Sequence, residues 1–148
     1  MLLPHSPNPE RDWADVNFKS HNLVFAHNTF EGANAGGRAL GGTPTSIFPK
    51  GVKVISGDVH VPQTFGPITY VGAPYTIDFG DDYEPRVLLM EHDKFTSIPC
   101  EGPQKRLIEW KSVVKEPLNE GDIVKVRGEL DGGDYARWAD IKASVQQW

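Results

Sequence analysis

Val52-Lys53-Val54-Ile55-Ser56-Gly57-Asp58-Val59-His60 is the stretch on which the fold turns. Its first five residues are a β-branched run of strand type, and Gly57 ends the run so that polar side chains follow at once. A second stretch has the same design. Asn22-Leu23-Val24-Phe25-Ala26 is continuously apolar and stops at His27, the pattern of a central strand buried on both faces. Two buried strands that each deliver polar residues at their ends place the chemistry of the chain there.

Working outward, residues 1–5 read as the end of a buried strand stopped by Pro4, and Asn8 before Pro9 predicts a helix start. That helix is expected over residues 9–16, with Trp13 on its buried face. Five glycines between Gly32 and Gly42 predict a flexible loop near the site, without the Lys-Ser/Thr ending of a phosphate-cradling loop. Strands follow at residues 68–71 and 86–91, and His92-Asp93-Lys94 turns the latter into a hairpin with residues 95–98. Beyond Pro99, strands are expected at 106–114, 122–130 and 138–145, with a turn at 130–134. A boundary near residue 100 divides residues 1–99 from a small β module at 100–148.

Fifteen Gly and twelve Pro among 148 residues favour short strands joined by turns, so the expected class is α+β, mostly β. A net charge of -5 argues against generic attraction to phosphate backbones, leaving nucleic-acid contact to local or metal-mediated groups. The lone cysteine, Cys100, excludes an internal disulfide and a Cys-rich zinc site, and it reads as a partly buried small hydrophobe. With no apolar run near the ~18 residues of a membrane helix and no signal-peptide pattern at Met1-Leu2-Leu3-Pro4, a cytoplasmic protein that avoids membranes is expected.

Three segments together resemble the calcineurin-like metallophosphoesterases, in particular the SbcD-type DNA-repair nucleases and their bacteriophage relatives. They are Leu23 through His27, Ser56-Gly57-Asp58-Val59-His60-Val61-Pro62-Gln63, and Tyr70-Val71-Gly72-Ala73-Pro74 through Asp78-Phe79-Gly80-Asp81-Asp82. Pro85 through Glu91 is similar to the family strand that follows the Gly-Ala-Pro turn. The likeness spans residues 1 to about 98. It implies the C-terminal half of a four-layer β-sandwich, with residues 100–148 as a small β capping appendage.

In that family two metal ions share a bridging hydroxide that attacks phosphorus, and five motifs supply the ligands. His27 resembles the lone His of the fourth motif. Gly57-Asp58-Val59-His60 resembles the Gly-His-x-His of the fifth, with Asp58 in place of its first His. The resemblance implies metal ligation by His27, Asp58 and His60. Glu31, four residues after His27, is placed either to support it as an acceptor or to stand as a solvated loop carboxylate. Imidazole and carboxylate donors suit divalent ions, Mn foremost and Mg, Fe or Zn after it, two to a complete site. Asp58 adds negative charge and shifts the preference towards harder ions. Its one Asp-x-His, Asp58-Val59-His60, falls in the segment that resembles the fifth motif, and the chain carries no Gly-Asp-x-x-Asp or Gly-Asn-His-Asp/Glu motif, so no catalytic residue is assigned.

The function implied is hydrolysis of phosphoester bonds, with nucleic acid among the substrates, completed by a complementary N-terminal half or across a homodimer. A half-sheet exposes an edge and an apolar face, which also points to association. The alternative is a degenerate domain that binds protein or DNA ends without hydrolysis. For residues 101–148, Gly121 through Gly128 is compatible with a small β-barrel recognition module. His5, His21 and His92 match no motif and read as surface or capping residues, and Asp81-Asp82 reads as solvated, offset in part by Arg86.

Overall fold

The computed structural model describes residues 1–92, 94–115 and 117–146. Strands outweigh helices and the sheets are mixed, an α+β arrangement that is mostly β. The chain forms two compact units, one of Met1–Ile77 with Asp81–Glu101, the other of Asp78–Gly80 with Gly102–Trp148.

The first unit is built on β1 (Leu23–His27), a small pair of β2 (Asn34–Ala35) and β3 (Arg38–Ala39), then β4 (Lys53–Gly57), β5 (Gln63–Phe65), β6 (Ile68–Tyr70), β7 (Arg86–Glu91) and β8 (Lys94–Pro99). The main sheet has the order β1-β4-β6-β5. β1, β4 and β6 run parallel, and β5 pairs antiparallel with β6. The register sets His27 beside Gly57, so β1 and β4 end side by side. Residues 1–5 form no strand of their own. Leu2 makes an isolated parallel bridge to Phe25, and Leu3 N–H donates to Phe25 O at 2.8 Å.

The apolar runs in β1, β4 and β6 explain the core. Val24, Val54, Ile68 and Tyr70 are fully buried on one face of the sheet, packed with Phe30, Phe18, Phe48 and Trp13. The rings meet edge-on or tilted, with Phe30 5.5 Å from Phe48 and 6.4 Å from Tyr70, geometries that aromatic quadrupoles favour over flat stacking. Trp13 is buried as expected, but its helix, α1 (Pro9–Asp12), is a single turn. Asn8 caps it by accepting from Arg11 N–H, and beyond it Val16 N–H bonds back to Trp13 O.

The glycine-rich segment is a paired hairpin where a flexible loop was expected. Gly36 and Gly37 both take positive φ (57° and 77°), as a tight hairpin turn between β2 and β3 demands. The Gln63 side chain holds the base of the hairpin, accepting from Asn34 N–H at 2.8 Å and donating to Asn34 O at 2.7 Å. β7 and β8 form the expected hairpin, with Glu91 opposite Lys94. Of its turn residues, Asp93 lies outside the described residues. Arg86 donates to Val71 O and Tyr70 O at 3.0 and 3.2 Å. Asp81 accepts from Ile77 N–H at 2.7 Å.

The second unit departs further from expectation. β9 (Lys105–Glu109) and β10 (Ile123–Arg127) form a parallel pair, and a 3-10 helix at Trp110–Lys115 takes up the second half of the strand expected at 106–114. No barrel forms. Residues 131–134, read as a turn, cap and open α2 (Gly132–Ala136), where Asp131 accepts from Gly133 and Asp134 N–H. Residues 138–145 belong to α3 (Trp138–Gln146), not to a strand. Trp138, Ile141 and Val145 recur at helical spacing, and Ala139, Lys142 and Ala143 are helix formers. On Phe79, Lys105 and Lys125 each place an ammonium 5.8 Å from the ring centroid.

Candidate functional site

The site grows from the two strand ends. Beyond β1 the chain turns at once, and a buried hydrogen-bond network fixes the turn. The Asn28 side chain accepts from Ser6 N–H at 3.0 Å and donates to Ser6 O at 2.6 Å, clamping the segment before α1. Tyr70 OH donates to Asn28 O at 2.9 Å and accepts from Phe30 N–H at 2.7 Å. Ser56 Oγ donates to Asn28 O at 3.1 Å. Asn28, Ser56 and Tyr70 are all buried, so each contact is made where an unpaired partner would be costly. Burial pushes the Tyr70 hydroxyl up to about 12, which keeps it a neutral donor.

On this base stand the motif residues. His27 closes β1 and is exposed; its ring lies so close over Gly57 that a Cβ there would overlap the imidazole Nδ1. Gly57 therefore has a packing reason to be glycine. Asp58 is exposed, has φ 84°, and accepts a hydrogen bond from Thr29 Oγ1 through Oδ2. A non-glycine residue in left-handed backbone is uncommon, and such strain collects at functional positions. His60 is also exposed, with its carbonyl accepting from Ala73 N–H at 2.9 Å.

His27 and Asp58 thus share one sheet edge. A cleft of about 360 Å³ opens at this edge; its wall includes His5, Glu10, Thr29, Thr43 and Asp58, and neither His27 nor His60 lines it. Glu31 is exposed and makes no hydrogen bond to His27 among the described residues, so the support expected of it is absent from the geometry. Among the described residues no three His, Cys, Asp or Glu side chains converge to hold a metal ion. His27, Asp58 and His60 therefore do not by themselves make the closed binuclear site that the motifs imply.

Sequence reasoning missed His5, whose Nδ1–H donates to His27 O at 2.8 Å and whose ring centroid is 6.4 Å from that of His27. It also missed the structural roles of Ser6, Asn28 and Thr29. None lies in a motif; their one local signal is the capping pattern at Asn8-Pro9, which places Ser6 at the entrance to a helix.

No protein-family model matches the chain, and no curated protein is similar to it.

Proposed function

We propose that the chain is the C-terminal part of a metallophosphoesterase sandwich and contributes ligands to a metal-dependent site that hydrolyses phosphoester bonds, nucleic-acid phosphodiesters among them. The observation that supports this reading is the register of β1 and β4, which sets His27 beside Gly57, so that the two segments resembling the fourth and fifth motifs meet at one sheet edge. Ligand sites of open parallel sheets lie beyond the carboxyl ends of the strands. Metal-dependent hydrolysis needs donors beyond those that converge among the described residues. They come from a complementary N-terminal half or from a second copy, and no reaction step is assigned to residues of this chain alone.

The test pairs elemental analysis of retained Mn²⁺ with hydrolysis of a generic phosphodiester, on the wild type and on a His27→Ala, His60→Ala double variant, with sedimentation to follow association. The expected outcome is metal retention that falls in the double variant, and turnover only in an associated species. A second reading, a phosphoesterase-like domain that binds protein or DNA ends without hydrolysis, draws on the lack of a converging three-donor set among the described residues. Absence of both metal retention and turnover, in monomer and assembly alike, overturns the first reading in favour of the second.

A further inference from the structure

The cleft at the ends of β1 and β4 has a donor pair that differs from the motif set. His5 and Asp58 both line it. The partner of His5 Nδ1 is a carbonyl oxygen, His27 O at 2.8 Å. A carbonyl has no proton to give, so the contact places a proton on Nδ1, and the neutral form of the ring has its lone pair on Nε2. Metal-bound imidazoles are oriented in the same way, one ring nitrogen donating to a carbonyl while the other faces the ion. Asp58 has Oδ2 engaged by the Thr29 hydroxyl, which turns the carboxylate and leaves Oδ1 for a ligand. Glu10 adds a second carboxylate to the wall.

The ionisable groups that face this space are therefore acceptors, and they suit a cation. An imidazole nitrogen beside a carboxylate favours a divalent transition-metal ion over ammonium or an alkali ion. We propose that the cleft binds one such ion through His5 Nε2 and the Asp58 carboxylate, with water completing the coordination shell. The inference deepens the reading above and rests on it for the part played by Asp58. It differs in pairing Asp58 with His5 where the motifs pair it with His27.

Zn²⁺ titration of the ¹⁵N-labelled protein, read at the ring nitrogens of the five histidines, tests this directly. The expected result is a saturable shift at His5 Nε2, with affinity reduced about tenfold or more in His5→Gln and Asp58→Asn. Asn tolerates left-handed backbone, so Asp58→Asn removes the charge without forcing the turn open. Zn²⁺ that moves His27 or His60 while His5 stays in place overturns the inference and leaves the bipartite reading standing. Equal weak shifts at His5, His21 and His92 mark adventitious surface binding and also overturn it. A response at no histidine overturns it as well, and the Mn²⁺ hydrolysis assay then decides the broader reading by itself.

Discussion

Asp58 and Gly57 show how backbone geometry and side-chain chemistry compete at neighbouring positions. At φ 84° an alanine meets the full left-handed penalty and a glycine meets none. Asp58→Ala is expected to be less stable than Asp58→Gly by about 1 kcal/mol in urea unfolding; equal stabilities would mean that the left-handed turn is not formed in solution. Gly57→Ala acts on the neighbour instead. Its new methyl overlaps the His27 ring, which is exposed and free to swing outward. Under the proposed function, with His27 as a ligand, the variant keeps its thermal midpoint within a few degrees and loses metal retention, as measured by elemental analysis. Unchanged retention would separate His27 from the site. Trp13 gives a third case, because its buried Nε1–H has no hydrogen-bond partner among the described residues. Trp13→Phe removes that unpaired donor along with some apolar area, so a change within about 1 kcal/mol is expected, well below the ~3 kcal/mol or more of a Trp→Ala truncation.

At the scale of elements, β6 holds the turn after β1 through one phenol. Tyr70→Phe keeps the ring but leaves Phe30 N–H buried and unpaired, and it takes a donor from Asn28 O. A loss of about 1–3 kcal/mol is expected from chemical denaturation. The same residue sets an alkaline limit. Its folded pKa is raised from 10.0 to about 12, chiefly by burial. Its contribution is therefore complete below pH 10 and is lost as pH climbs from 10 towards 12, because the unfolded chain releases the proton first. Wild-type stability should fall across that window, and the part of the fall due to Tyr70 should vanish in Tyr70→Phe. An identical pH profile in the two proteins would contradict this assignment.

The whole molecule divides its stability unevenly. The four-stranded sheet covers a shared aromatic core, whereas β9 and β10 form a two-stranded parallel pair with short helices around it. Two-stranded sheets have little stability of their own. Native-state hydrogen exchange should therefore show amides of β4 and β6 protected more strongly than those of β9 and β10, which open by a smaller local transition. Uniform protection across both units would mean that the chain unfolds as one cooperative body. Among the described residues no helix is long and apolar enough to cross a membrane.

Sequence by itself placed strands at 22–26, 52–56, 68–71 and the hairpin of 86–91 with 95–98, each within a residue or so of the observed strands, because alternating or continuous apolar runs bounded by Gly and Pro are local signals of burial. It also placed His27, Asp58 and His60 at or just past strand ends, since that follows from where each run stops. It failed at residues 138–145, where a few apolar residues fit a strand while their spacing fits a helix, and at 34–39, where glycine abundance masks a hairpin that Gln63 fastens from a distance. Only the tertiary structure decided that β1 and β4 lie parallel in a register that joins their ends, that His5 reaches His27 across 22 residues of chain, and that His60 stays out of the cleft. Those outcomes depend on contacts between residues far apart in sequence, and local pattern carries no record of them.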